Sequence, residues 1–161
     1  MSSTAAQPPP AASSISAPAP LVMQLIVDGG SPSTLSWPKG PWMAQSAHAA
    51  ISAIQVSLSS AHTQQYISAS NLASMHKVVL QTPASGKAKM DLLQLSTKLT
   101  EARKAYEAAK EQGEGQEEEE FPQHYLWVEQ PENVPTCLAI APNSKPAALK
   151  KILRPCTLLK D

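Results

Sequence analysis

Four short apolar runs predict the strands of a sheet. Branched and aromatic residues dominate them, and turn residues such as "DGG" and "PASG" end the first two. The runs are "LVMQLIV" at 21–27, "KVVLQT" at 77–82, "HYLWVEQ" at 124–130 and "PTCLAIAP" at 135–142. Because only a few residues, including the turn "PEN", separate the last two runs, we expect them to form an antiparallel hairpin.

Helical spacing begins soon after the first run. The apolar residues step by three or four positions: Met43, Ala47, Ile51, Ile54 and Leu58. This spacing predicts a helix with one apolar face, starting at about Pro41, since proline suits the first helical turn. The opposite stripe carries Gln45, His48 and Ser52.

Three more segments have helical patterns. In the weakest, "TQQYISASNLASM", the residues expected to face inward are Tyr66, Leu72 and Met75. A stronger repeat lies in a segment rich in Lys, Glu and Ala, with Leu92, Leu95, Leu99, Ala102 and Tyr106 on one face. A short last helix, "KPAALKKIL", offers Leu149, Ile152 and Leu153 for burial.

The order of these elements predicts the fold class. It is β-α-α-β-α-β-β-α, and helices placed between strands imply crossover connections. We therefore expect an α/β protein with three layers, in which helices cover both faces of a mixed four-stranded sheet. Its 161 residues suffice for one such domain.

Composition sets two segments apart from this domain. Residues 1–20 are mostly Pro, Ala and Ser, with almost nothing large to bury, so we expect a disordered tail followed by a domain over 21–161. Five glutamates mark an acidic loop at 112–120, where glycines end the preceding helix. Formal net charge is zero, but without those five glutamates thirteen basic residues face eight acidic ones, a net +5.

The remaining composition indicates a reducing compartment. Cys137 and Cys156 form no CxxC pair and suggest neither a zinc site nor a disulfide framework. The first twenty residues lack the apolar core of a signal peptide, and no apolar run approaches membrane-spanning length. These features favour a cytoplasmic protein.

The start of the first predicted helix is the candidate site. Ligands of such sheets lie beyond the carboxyl ends of strands, where free N–H groups of a helix start stabilise a phosphate or an oxyanion. Lys39 adds a cation there, and Gln45 and His48 project from one face of the first turns. His48 has either a chemical role or a structural one, and the pattern leaves both open. For Trp37 and Trp42 the alternatives are packing of the loop onto the core and stacking on nucleic-acid bases.

Other recognisable sites are missing from the sequence. It has no Walker-type phosphate loop, no G-x-S-x-G elbow and no closely spaced His/Cys/Asp ligand set. The carboxylates and amides at 129–133 either face the same crevice or form a plain polar hairpin turn.

Four separated blocks resemble one family. "KGPWMAQSAHAAISA" is similar to the signature of the type II peptidyl-tRNA hydrolases, and "MHKVVLQTP", "YLWVEQPEN" and "TCLAIAP" resemble the divergent branch of peptidyl-tRNA hydrolase domain-containing proteins. The resemblance implies hydrolysis of the ester between a peptide and tRNA, which recycles tRNA from aborted translation. It implies peptidyl-tRNA or tRNA as partner, no metal or organic cofactor, and a homodimer as one option.

Carried over residue by residue, the resemblance implies His48 as general base or hydrogen-bonding group, and Lys39 as the contact to phosphate or oxyanion. It implies Glu129 as an orienting or polarising carboxylate. The residues that would contact substrate are Gln45, Trp42, Gln130 and Asn133.

The sequence departs from the family pattern at two places. Pro41 stands where most members have a second lysine, and Glu129 or Gln130 stands where most have an aspartate before a longer loop with a threonine. Two hypotheses follow: a peptidyl-tRNA hydrolase with an altered site, or a catalytically impaired member that binds tRNA or a protein partner. The acidic loop is a candidate surface for that partner.

Overall fold

The computed structural model describes residues 20–31, 36–113 and 119–160. The first nineteen residues of the predicted tail and residues 114–118 of the predicted acidic loop lie outside these ranges. Within them, no helix has the length and apolar character needed to cross a bilayer.

The described elements follow the predicted order. The helices are α1 (Lys39–Val56), α2 (Ala61–Tyr66), α3 (Leu92–Glu111) and α4 (Ala147–Leu153), with a 3₁₀ helix at Ala69–Ser74 after α2. The strands are β1 (Val22–Val27), β2 (His76–Gln81), β3 (His124–Glu129), β4 (Val134–Asn143) and β5 (Thr157–Leu158).

One mixed sheet joins these strands in the order β3-β4-β1-β2-β5. β1 and β2 are parallel, whereas β4 is antiparallel to both β1 and β3, which confirms the predicted hairpin. The sheet has five strands, so the predicted number of four was wrong. The extra strand, β5, is only two residues long and is identified by its pairing with β2. Two residues are too few to give an apolar pattern from which a strand could be predicted.

Alternation along the strands divides the core between the two faces of the sheet, because neighbouring side chains of a strand point to opposite sides. Leu25 lies in the cluster under α1 and Ile26 in the cluster under α3. Cys137, fully buried on the α1 side, has its thiol pKa raised to about 12 by burial. The predicted three-layer α/β/α architecture is confirmed.

Helix α1 packs with a different face from the one predicted. The buried residues are Gln45, Ala49 and Ala53, whereas Met43 is 72% exposed and Ile51 is 69% exposed. Most of the predicted apolar stripe therefore faces outwards, and of its helical members only Ile54 is half-buried against the core cluster. Small alanines allow the backbone of α1 to approach β4 and β3 closely, and this close contact decides the orientation.

The segment after α1 is shorter and less buried than predicted. It forms α2, which is six residues or about 1.7 turns long, and then the separate 3₁₀ helix. Tyr66 is buried as predicted, and its hydroxyl donates to the carbonyl oxygen of His76 at 2.8 Å. Leu72 and Met75 were expected to face inward, but they are exposed because the 3₁₀ helix lies at the surface.

Helix α3 agrees with its sequence pattern. Its start is fixed by a capping box, in which Asp91 Oδ1 accepts from the backbone N–H of Gln94 and the Gln94 side chain accepts from that of Asp91. The helix ends at Glu111, and Gly113 follows with a φ of 74°, a conformation that favours glycine. Its buried residues are Leu92, Leu95 and Leu99.

Stability should depend on the protonation of His124, which links β3 to α3. Its Nε2 lies 2.9 Å from Ser96 Oγ, and burial lowers the pKa of the imidazole. As the pH falls below about 6.5, the ordinary histidine pKa, the unfolded chain takes up the proton first, so the free energy of unfolding decreases. Thermal unfolding between about pH 7.5 and pH 5.5 would measure the resulting loss in Tm.

The His124→Gln variant keeps an amide that can bond to Ser96 and should show a smaller loss in Tm over the same pH range. The matched control is His76→Gln, since His76 is exposed; it should lose as much as the unaltered protein. An equal loss in the His124→Gln variant would contradict the assignment.

Candidate functional site

The carboxyl ends of β1, β2 and β3 lie at the same edge of the sheet as the start of α1. β1 and β2 are parallel, and β3 runs in the same direction because both β1 and β3 are antiparallel to β4. At this edge Gly29 approaches the end of β2 so closely that an added Cβ would clash with the carbonyl oxygen of Thr82. Only glycine fits there, which fixes where the chain leaves β1 towards α1.

The first turn of α1 offers backbone donors without a side-chain cap. Pro38 is the N-cap residue; its side chain makes no capping hydrogen bond, although its carbonyl oxygen accepts from the backbone N–H of Trp42 at 3.5 Å. The helix begins at Lys39, two residues before the predicted start. The side chain of Lys39 is exposed. A negative group in front of this turn would be stabilised by the free N–H groups and the helix dipole. Pro41, third in the helix, supplies neither a backbone nor a side-chain donor.

The two tryptophans at this helix start contact each other. Trp37 and Trp42 have ring centroids 6.0 Å apart with an interplanar angle of 52°, and both are half-buried. This tilted pair packs the residues preceding the helix against its first turn.

Two turns further along α1, His48 lies over β3. Its imidazole stacks on the indole of Trp127, with centroids 4.5 Å apart and planes 19° from parallel. The indole Nε1–H in turn donates to Glu129 Oε2 at 2.8 Å. His48 and Glu129 are therefore connected through Trp127, and within the described ranges the imidazole nitrogens of His48 have no hydrogen-bond partner.

Gln45 lies beneath this group, buried against the start of β4. The hydroxyl of Thr136 donates to Gln45 Oε1 at 3.3 Å and lies 3.5 Å from the carbonyl oxygen of Trp127. Since Gln45 is only 5% exposed, its amide fixes α1 against the hairpin and offers little surface to a ligand.

The hairpin turn closes this end of the site. Gln130 Nε2 donates to Asn133 Oδ1 at 3.3 Å, and both side chains are exposed. Asn133 has a φ of 55°, which asparagine tolerates better than most residues. The peptide bond between Gln130 and Pro131 is cis.

The structure thus groups His48, Gln45 and Glu129 around Trp127, and it places the exposed Lys39 and the half-buried Trp42 at the helix start, about two turns before His48. Trp127 and Thr136 belong to this group but were not among the sequence-derived candidates. The alternation of "HYLWVEQ" places Tyr125, Trp127 and Glu129 on one face of β3, a signal that could have identified Trp127.

Apart from this group, a cleft of about 350 Å³ opens at the same edge of the sheet near the start of α3. Its polar lining includes Asp28, Lys89, Asp91 and Gln94. None of the sequence-derived site residues lines it. Among the described residues, no group of three or more His, Cys, Asp or Glu is placed to hold a metal ion.

Comparison with known proteins agrees with the resemblance. The sequence model of the family described as "Peptidyl-tRNA hydrolase PTH2" matches residues 21–159. A Homo sapiens protein named "Putative peptidyl-tRNA hydrolase PTRHD1" is 33% identical over 110 residues, which are 68% of this chain and 61% of the human protein. The Mus musculus protein of the same name is 32% identical over 110 residues, with the same coverage. The alignment thus spans 61% of the length of these curated relatives.

Proposed function

The chain belongs to the peptidyl-tRNA hydrolase PTH2 family, and we propose that it hydrolyses the ester that joins a peptide to the terminal ribose of tRNA. The observation that carries this proposal is the location of His48. An exposed imidazole without a hydrogen-bond partner among the described residues lies on the helix that bears the family signature, near the carboxyl ends of the strands.

His48 acts as the general base in this proposal. Water attacks the ester carbonyl carbon while the imidazole takes one of its protons, and the carbonyl oxygen becomes an oxyanion. Collapse of the tetrahedral intermediate breaks the bond to the ribose oxygen, which leaves with the proton as the free hydroxyl. Because the ring nitrogens of His48 are not engaged by described residues, they are available for this proton transfer.

Negative charge is stabilised at the start of α1. The uncapped N–H groups and the ammonium of Lys39 would face the oxyanion or the tRNA phosphates. Glu129 acts on His48 indirectly, since its carboxylate accepts the indole N–H that holds Trp127 under the imidazole. Substrate contacts would come from Trp42, Gln130 and Asn133, while the buried Gln45 positions the helix.

A second candidate is favoured by Pro41. It occupies the first turn of α1, where it cannot supply the ammonium that most family members place there. In this version the chain binds tRNA in the cytoplasm without cleaving it, or binds a protein through its acidic loop. Assembly as a homodimer is compatible with both versions.

Purified peptidyl-tRNA, incubated with the purified chain, distinguishes the two candidates. We expect release of peptide and free tRNA in proportion to protein concentration. If no hydrolysis occurs, binding of the same tRNA over a range of salt concentrations decides between RNA and protein as partner, because affinity carried by phosphate contacts falls steeply with salt. Absence of both hydrolysis and binding would exclude tRNA as the ligand.

A further inference from the structure

We propose that the His48–Trp127 stack is a binding site for an unpaired nucleobase, namely the base at the 3′ terminus of the tRNA. This inference rests on the proposed function, because it assigns a binding subsite to the same group of residues. Every tRNA ends in a single-stranded CCA sequence whose last ribose carries the peptide ester. A base held beside His48 would therefore bring that ribose to the imidazole.

Stacking geometry is the first support. The centroid distance of 4.5 Å and the interplanar angle of 19° are those of two flat rings in contact. One face of the imidazole is covered by the indole, yet His48 remains exposed. Its free area thus lies at the opposite face and the ring edge, where another flat ring can continue the stack.

The indole of Trp127, on which His48 stacks, is also held in place by its surroundings. The indole of Trp127 is held from the side by Glu129 Oε2 at 2.8 Å, and it packs against the buried cluster beneath α1. The hydroxyl of Thr136 lies 3.5 Å from the Trp127 carbonyl oxygen. A ring that is already fixed loses little conformational freedom when a base stacks on it, which favours binding.

A second aromatic ring extends the platform along β3. Tyr125 lies two residues before Trp127 on the same face of the strand, with ring centroids 6.4 Å apart, and 36% of its surface is exposed. Unpaired nucleotides bind proteins by stacking successive bases on such rings. Tyr125, whose ring is tilted by 37° from that of Trp127, therefore offers a further exposed ring beside the stack for another unpaired base of the same strand.

Charge on the neighbouring helix does not oppose an RNA backbone. Within α1, whose 18 residues are all described, there is no Asp or Glu, and Lys39 is the basic residue at the helix start. The carboxylate of Glu129 is already engaged by the indole N–H. The phosphates that precede the stacked base in the strand would find a cation and free backbone donors at the start of the same helix, about 13 Å from His48 along the helix axis.

The test compares two RNA trinucleotides by NMR titration of the unaltered chain. One is CCA, and the other has the same sugars and phosphates but lacks the terminal base. We expect the abasic ligand to bind about ten- to one-hundredfold more weakly, which corresponds to the usual contribution of one stacked base. The indole N–H signal of Trp127 should shift with CCA.

Variants separate stacking from other roles of the histidine. His48→Ala should bind both trinucleotides equally weakly, whereas His48→Phe, which keeps a flat ring, should retain most of the preference for CCA. The matched control is Ile51→Ala on the outer face of α1, since Ile51 is exposed and lies away from β3; its affinities should equal those of the unaltered chain.

The outcomes also separate this inference from the proposed function. Equal affinity of the unaltered chain for both trinucleotides, or no binding of CCA, contradicts the proposed base-binding site even if peptidyl-tRNA is hydrolysed. Preference for CCA over the abasic ligand, without hydrolysis of peptidyl-tRNA, supports the base-binding site and contradicts the proposed enzymatic function. A preference that survives unchanged in His48→Ala would move the base to another surface and also overturn the proposal.

Discussion

Replacing His48 by alanine should lower kcat for peptidyl-tRNA hydrolysis by about 10²–10⁴-fold, the usual contribution of a general base. The imidazole is exposed and its nitrogens have no partner among the described residues, so its removal leaves the fold intact while it removes the proton acceptor. Steady-state hydrolysis of purified peptidyl-tRNA measures the effect. His48→Phe should lose kcat to the same extent but keep a KM near that of the unaltered chain, because a flat ring remains for stacking.

The control for this series is His76→Ala. His76 is also an exposed histidine, but it begins β2 and therefore lies at the edge of the sheet opposite the site. Its replacement should leave kcat and KM unchanged. Undiminished hydrolysis by His48→Ala would remove the role assigned to His48, and activity retained by His48→Phe alone would show that stacking, not proton transfer, is its contribution.

Ala49→Leu should destabilise the protein by about 1–3 kcal/mol, the usual cost of inserting methylene groups into a packed core. Ala49 has no exposed surface and lies in the buried cluster with Met23, Leu25 and Ala139. A larger side chain there would push α1 away from the sheet and would also disturb the contact of His48 with Trp127. Urea unfolding, followed by circular dichroism, measures the free energy of unfolding.

Ile51→Ala is the matched control on the same helix. Because Ile51 is 69% exposed, its truncation should change the free energy of unfolding by no more than about 0.5 kcal/mol. The opposite result, a costly Ile51→Ala and a harmless Ala49→Leu, would mean that the apolar stripe of α1 faces the core.

That stripe shows where reasoning from the sequence was insufficient. β1, β4 and α3 were predictable because most of their large apolar residues are also buried, as at Ile26, Leu138 and Leu95. In α1 the large apolar residues are not the buried ones: Met43 and Ile51 are exposed, while the small Ala49 is buried. Hydrophobic periodicity weighs the size and polarity of side chains, but the orientation of α1 depends on how closely its backbone can approach the sheet.

The candidate site was predictable in part. Motif resemblance and the expected position of a helix start identified His48 and Glu129 from the sequence alone. Their connection through Trp127 depends on the register between α1 and β3, which are far apart in the chain, and no local pattern specifies it. The indirect link from His48 to Glu129 is therefore a property of the folded chain that the sequence alone does not predict.

The pairing of β3 with β4 shifts register between Trp127 and Val128, where β4 has one extra residue, Thr136, and this shift has a consequence for the behaviour of the protein at high concentration. Among the described strands β3 is an edge strand of the sheet, and the unpaired backbone groups of an edge strand can pair with a strand of another chain, which starts aggregation. An irregularity of this kind increases the local twist of the two paired strands, and a twisted margin fits an incoming strand less well than a flat one. The register shift therefore disfavours self-association through β3 while its outer side stays open to a ligand.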